Sequence, residues 1–341
     1  LKLSAALDRY NSQFKAMSPD RIIGFFPERS YVREYPSGSL IASLIGFVNH
    51  DGVGATGLES SMNSKIKGVD GKYSYANGYK AEIPGSQSEI VPAQSGTSIR
   101  LTVDRDIQWV ASKAIADAVK SSRALSGTVI VMDPKTGAIL AQASAPTFDP
   151  NISSTITLNK LRNPAVQEVY EPGSTGKVIT VAAALQEGLV TPQSIFTIPY
   201  KMKVADEYFH DHEKHPTQRL TTTGLLAVSS NTGSIQIGQK LGKETLYNYL
   251  RKFGIGQSTN SKLPGESAGI LHPVKEWSGT SLPTIAFGQG YSLTAMQSTS
   301  VFATIANDGV RVSPSILAGV VDESGKYTPA KENESVRVLS S

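Results

Sequence analysis

Cysteine is absent from the chain, which removes disulfide staples, thiolate zinc sites and thiol nucleophiles from consideration at once. Long apolar runs are missing too: nothing approaches the roughly 20 residues that a bilayer-spanning helix requires. Charge is scarce, at 18% of residues, where soluble proteins average about a quarter. The net charge of +4 is spread without a Lys/Arg run, so no nucleic-acid groove is indicated. Internal repeats and low-complexity segments are also lacking, which excludes solenoids and arrays. The first residue is Leu1, with neither a methionine nor a signal sequence before it, and the expectation is that something upstream was trimmed.

What remains is a Gly-, Ser- and Thr-rich chain of 341 residues, long enough for two domains and a sizeable core. Residues 1–97 alternate short apolar pieces with Tyr, Gly and Ser, and read as short strands and loops around one or two helices, one of them over 57–66. His50, Asp51 and Glu59 offer no convergent catalytic group there and read as surface or structural residues. Composition shifts near Val91-Pro92-Ala93-Gln94-Ser95-Gly96, so a second domain is expected over 98–341. It opens with strand-like alternation over 98–103, and then Ile107, Val110, Ala114, Ile115, Ala118 and Val119 recur at helical spacing. Two apolar strands, 127–132 and 138–143, flank Asp133-Pro134-Lys135-Thr136-Gly137 as a hairpin. A further piece, 310–321, reads as strand and turn.

The chain is organised around Tyr170-Glu171-Pro172-Gly173-Ser174-Thr175-Gly176-Lys177, followed at once by an apolar, Ala-rich run to Leu185. Pro172 and Gly173 break what precedes, Ser174 suits a helix start, and Gly188 is a natural stop. Ser174 and Lys177 then share one helix face, about 5 Å apart along the axis. A serine hydroxyl needs a base to become a nucleophile, and a lysine amine can be that base once burial lowers its pKa. The apolar run predicts a buried helix that supplies this desolvation. A phosphate-binding loop is excluded, because Glu171 stands where its first glycine belongs and Val178 where its metal-binding hydroxyl belongs.

Downstream, His210-Asp211-His212 and His215 crowd a polar loop without the helical i, i+4 frame of a zinc helix, and read as loop-ordering residues. Helices are expected over 222–228 and 233–241. Between them lies Ser229-Ser230-Asn231, a tight turn on which a hydroxyl and a carboxamide two positions apart can point the same way. Phe287-Gly288-Gln289-Gly290 is a compact turn, and 293–307 an amphipathic helix stopped by Gly309.

Ser174-x-x-Lys177, then Ser229-x-Asn231 about fifty residues later, then Phe287-Gly288-Gln289-Gly290, resemble the motifs of the penicillin-binding protein and serine β-lactamase superfamily. The chain looks most like a class B penicillin-binding protein of the division-associated, actinobacterial type. Arg33-Glu34-Tyr35-Pro36, Gly57-Leu58-Glu59 and Gly68-Val69-Asp70-Gly71 are similar to that family's non-catalytic pedestal, and Leu101-Thr102-Val103-Asp104-Arg105-Asp106 to the start of its transpeptidase domain. The resemblance implies an α+β fold: a pedestal or dimerisation-type domain over 1–97, then a transpeptidase domain over 98–341 made of a helical subdomain and an antiparallel sheet.

It also implies a serine D,D-transpeptidase that crosslinks peptidoglycan stem peptides and is trapped by β-lactams. Ser174 would be the nucleophile and Lys177 its base; Ser229 would relay a proton, and Asn231 would hold Lys177 and the substrate amide. Gln289 and Gly290 would border the substrate. No cofactor, metal or nucleic acid is called for. Partners would be stem peptides, β-lactams and the membrane-bound division and glycosyltransferase proteins, at the extracytoplasmic membrane face, with an anchor outside this chain. The alternatives within the superfamily are a catalytically silent penicillin-binding scaffold or sensor, and a β-lactamase-like hydrolase.

Two departures stand out. Lys135-Thr136-Gly137 spells the third family motif but precedes Ser174 and sits in a hairpin turn, so the K-[TS]-G strand is expected beyond Ser341. With so few strands to cover the Ser174 helix, the catalytic domain is expected to be incomplete. Gly176, where many relatives carry a larger residue, is expected to thin the packing beneath the motif.

Overall fold

The computed structural model describes residues 32–76, 83–87 and 89–341, with helical positions 5, 6, 9 and 12 before them. Part of the expected pedestal, residues 77–82 and most of 1–31, lies outside the described residues. The chain divides into two units, Leu1–Glu34 and Tyr35–Ser341. Within the second unit there is no packing boundary at 97/98. Leu44, Leu58 and Met62 share one core with Ile139, Val166, Met296 and Ile316. The composition shift at 91–96 therefore marks a change in local punctuation and not a gap between separate bodies. Glu59 is buried in this region, the structural alternative of the two considered for it.

The helix read from the 107–119 periodicity is α1 (Arg105–Ser122). Asp104 caps it by accepting from the Asp106 and Ile107 amides, and Arg123 in the left-handed conformation ends it. Its apolar face, Ile107, Ala111 and Ile115, packs on Val129, Val131, Ala141 and Ala143 of the expected hairpin. That hairpin is β4 (Gly127–Met132) against β5 (Ile139–Ala145), antiparallel, with a register shift at Val131/Met132.

More strands form than the sequence offers. β1 (Lys72–Ser74) pairs with β2 (Glu89–Val91). β11 (Leu317–Val321) runs between β3 (Ser98–Leu101) and β12 (Tyr327–Pro329). β10 (Val310–Val312) pairs with β13 (Ser335–Arg337), β6 (Ile195–Ile198) with β9 (Gln218–Thr221), and β7 (Lys201–Val204) with β8 (Glu207–His210). Of these, β3, β10 and β11 fall where strand was expected; the others are three or four residues long and several are charged and largely exposed, so apolar alternation could not announce them.

Among the described residues the Ser174 helix is α2 (Lys177–Gln186), and its main packing partners are not the sheet expected from the sequence. It packs against other helices: α3 (Thr222–Ala227), α4 (Asn231–Leu241) and α5 (Lys243–Lys252). α6 (Ser281–Ala286) joins this layer against α4, while α7 (Ala295–Ala306) packs on β4 and β10. Ile179, Val181, Ala183 and Ala184 of α2 join Leu225, Ile237, Leu246, Leu250, Phe253 and Ile285 in the largest core cluster, with Phe196 and Ile198 from β6 closing one end. Full burial of a Leu or Ile side chain contributes about 1.5–3 kcal/mol, so this cluster is what fixes the axis of α2. Close approach is possible because α4 carries Gly238, where a Cβ would run into the Cβ of Ala286.

Candidate active site

Ser174 lies in a short 3-10 turn, Gly173–Gly176, that leads directly into α2. The turn is strapped from behind by a segment far along the chain. Gly173 donates its N–H to the Gly288 carbonyl at 2.8 Å, and Glu171 accepts the Gly290 N–H at 2.8 Å. Tyr170 and Leu293 exchange both backbone hydrogen bonds at 3.0 Å. Gly288 has φ +96°, and a Cβ there would coincide with the Gly173 carbonyl, so this crossing demands glycine.

Gly176 corrects the expectation of thin packing. It is buried, and an added Cβ would strike the Tyr291 hydroxyl and crowd Gly288 and Pro172. The space a larger residue would fill is filled by Tyr291, which is 2% exposed. Its hydroxyl has no hydrogen-bond partner, and burial pushes the phenol's pKa up.

Ser174 is an exposed residue while Lys177 is 1% exposed. Lys177 Nζ donates to three oxygens: Ser174 Oγ at 3.2 Å, Ser229 Oγ at 3.0 Å and the Ser229 carbonyl at 2.5 Å. Burial lowers the Lys177 pKa to about 8, with the charge of Asp211 acting in the opposite sense. A neutral amine is therefore accessible near neutral pH, and it sits within hydrogen-bond reach of the Ser174 hydroxyl.

Ser229 reaches Lys177 from a strained turn. α3 ends at Ala227, and Ser229 adopts φ +57°, which costs a non-glycine residue roughly 1–2 kcal/mol. Ser230 then caps α4 by accepting the Gly233 N–H at 2.9 Å. Asn231 is the first residue of α4, but its side chain is not turned to Lys177 as expected: Nδ2 donates to the His210 carbonyl at 3.0 Å. The reason is that β8 delivers that carbonyl to the mouth of the turn. Gln289 and Gly290 lie exposed in the turn that braces Ser174, where the Gln289 N–H donates to Thr284 O at 3.1 Å.

Sequence reasoning singled out Ser174, Lys177 and Ser229, which the fold brings together across 52 residues, and it missed three supports. Glu171 was read only as a breaker of the phosphate-loop pattern, and Tyr291 was not noticed. Asp211 was noticed only within a histidine cluster, although its buried carboxylate accepts from Ser230 Oγ and from the Thr232 N–H. A lone acid between two histidines was the available signal. Among the described residues, no group of three or more His, Cys, Asp or Glu is placed to hold a metal ion.

A serine held by a buried lysine three positions on, with a second serine from another helix junction closing the triangle, is the geometry the family comparison then meets. The family model for the penicillin binding protein transpeptidase domain matches residues 127–339. The chain belongs to that family. Its relatives place it with the class B penicillin-binding proteins. It is 38% identical over 315 residues to the penicillin-binding protein PbpB of Mycolicibacterium smegmatis, covering 92% of this chain and 49% of the relative. With the peptidoglycan D,D-transpeptidase FtsI of Escherichia coli it shares 33% identity over 282 residues, 82% of this chain and 47% of that protein. Its fold is similar to that of penicillin-binding protein 3 of Mycobacterium tuberculosis solved in complex with aztreonam, at a TM-score of 0.82 and 37% identity, covering 91% of this chain and 66% of that one. The chain thus spans about half the length of the curated relatives it matches. Among the described residues no helix is long and apolar enough to cross a membrane.

Proposed function

We propose that this chain carries the acylating centre of a serine D,D-transpeptidase that crosslinks peptidoglycan stem peptides and is inactivated by β-lactams. The observation that carries the reading is the placement of Lys177 Nζ, on a buried lysine and 3.2 Å from the hydroxyl of Ser174, an exposed residue. Neutral Lys177 takes the Ser174 proton as Oγ attacks the carbonyl carbon between the last two D-alanines of a donor stem. The developing oxyanion is met by the Ser174 amide at the start of the helix. Lys177, now an ammonium, returns a proton through Ser229 Oγ, 3.0 Å away, to the leaving nitrogen, and the terminal D-alanine departs. The acyl-enzyme then reacts with an amine of a second stem, the same proton path running in reverse. Gln289 and Gly290 border the substrate, and Asn231 holds its amide. Membership of the FtsI-containing family supports a role in septal wall synthesis at the extracytoplasmic membrane face, beside membrane-bound division and glycosyltransferase proteins.

Intact-mass analysis after incubation with benzylpenicillin tests the reading. One adduct is expected, mapped to Ser174 by peptide digestion and abolished in Ser174→Ala. An adduct on another residue sinks the assignment of the nucleophile. Rapid release of penicilloate by water in place of a lasting adduct moves the protein to the hydrolases. Absence of any adduct in a folded protein leaves a scaffold.

A further inference from the structure

The left-handed Ser229 is a conformation that a serine keeps only when its surroundings over-determine it. Those surroundings converge on one carboxylate that none of the three motifs contains. Asp211 is 6% exposed. Its Oδ2 accepts from Ser230 Oγ at 2.8 Å and its Oδ1 from the Thr232 N–H at 2.8 Å, so it grips the chain on both sides of Asn231. His215 Nε2 lies 3.0 Å from the same Oδ2. Asp211 is itself pinned, its N–H donating to the Tyr200 carbonyl at 3.0 Å, and the residue before it supplies the carbonyl that holds Asn231. The β7–β8 hairpin and its following loop thus act as a bracket whose one buried charge touches the 229–232 segment.

We infer that Asp211 is a positioning residue of the acylating centre: it fixes the 229–231 turn so that the Ser229 carbonyl and hydroxyl both face Lys177. The inference rests on the reading of Ser174 and Lys177 given above. The geometry makes Asp211 a brace, and its charge also favours the Lys177 ammonium against the burial that lowers the pKa. α3 carries no charged residue, and α4 carries Lys240 in its last turn. α5 brings Lys243, Glu244, Arg251 and Lys252, and its Tyr249 is bonded to Glu187 past the far end of α2. Glu171 is occupied by the Gly290 amide. His215, its pKa raised by the Pro216 carbonyl and by Asp211, protonates in acid and offsets part of the Asp211 charge.

The test compares the parent protein with Asp211→Asn, which keeps size and loses charge. The second-order rate constant for acylation by benzylpenicillin is expected to fall about 10- to 100-fold, the loss expected for hydrogen bonds to a charged group. Removing the anion destabilises the Lys177 ammonium, so the inflection of the rate against pH should move below the parent's value of about 8. A rate within about twofold of the parent, or a lower rate with the inflection unmoved, overturns the inference. Ser230→Ala guards against an Asn variant that does not fold: it removes one tether and keeps the charge, so its rate should fall with the inflection unchanged, and an unaltered rate overturns the positioning role. Direct NMR titration of the Lys177 Cε resonance in parent and Asp211→Asn needs no acylation. A parent that resists penicillin therefore counts against the proposed function, while the titration still decides Asp211: a lower Lys177 pKa in the variant supports it and an equal one refutes it.

Discussion

The two turns that face each other across Lys177 are held by unlike means. The 173–177 turn is fixed by backbone and by missing side chains: Gly173 bonds to Gly288, both have positive φ, and Gly176 leaves room for Tyr291. The 229–231 turn is fixed by polar side chains and a carbonyl lent from elsewhere, namely Asp211, the Ser230 hydroxyl and His210 O. Steric support tolerates no added atom, since well-packed surroundings respond to one with displaced backbone. Polar support is graded, because each bond contributes separately and part of it is electrostatic. One site thus couples a rigid nucleophile to a tunable partner.

The largest expected effect falls on the group shared by both turns. Lys177→Arg keeps a cation but cannot deprotonate near neutral pH, so acylation of Ser174 by penicillin should drop about 10²- to 10⁴-fold. The parent's acylation rate should rise with pH and level off above about 8, because the neutral amine is the active form and burial has lowered its pKa to that value. A flat profile through this range, or near-normal acylation by the Arg variant, would leave Lys177 a structural role only.

A smaller effect is expected on the steric side. Gly176→Ala drives a Cβ into the Tyr291 hydroxyl, and overpacking of this kind costs about 1–3 kcal/mol. Denaturant titration should show the loss, and acylation should slow as the Ser174 turn shifts. If the Ala variant is as stable and as reactive as the parent, the rigid half of the comparison fails.

The smallest effect isolates that hydroxyl. Tyr291→Phe removes a buried oxygen that has no partner, so stability should change by no more than about 0.5 kcal/mol or should rise slightly. In the Gly176→Ala background the same change should restore part of the lost stability, a coupling that a double-mutant cycle reads directly.

What the sequence disclosed follows the same division. Ser174 and Lys177 were legible because a helix places residues three apart on one face, α1 because its periodicity is clean, and the β4–β5 hairpin because two apolar runs flank a turn sequence. Ser229 could be paired with Lys177 only through the family resemblance, since no local rule brings together residues 52 positions apart. Asn231 was placed on the right turn and given the wrong partner, because the competing acceptor, His210 O, comes from a strand of four charged and aromatic residues that has no apolar alternation. Gly176 misled for a related reason: a glycine in a string shows missing volume, and only the fold shows that Tyr291 occupies it. The helical cover of α2 was missed because apolar runs announce burial without naming what buries them.

The strap between Glu171 and Gly290 joins positions 119 apart, and that separation has a kinetic meaning. Closing so long a loop is entropically costly and belongs to the slow, non-local part of folding. A chain with its individual helices formed but this loop still open would carry Ser174 on an unbraced segment, its hydroxyl no more reactive than any other. Adduct formation would therefore time the closing of this loop, and a fluorescent penicillin added during refolding would serve as a clock for it.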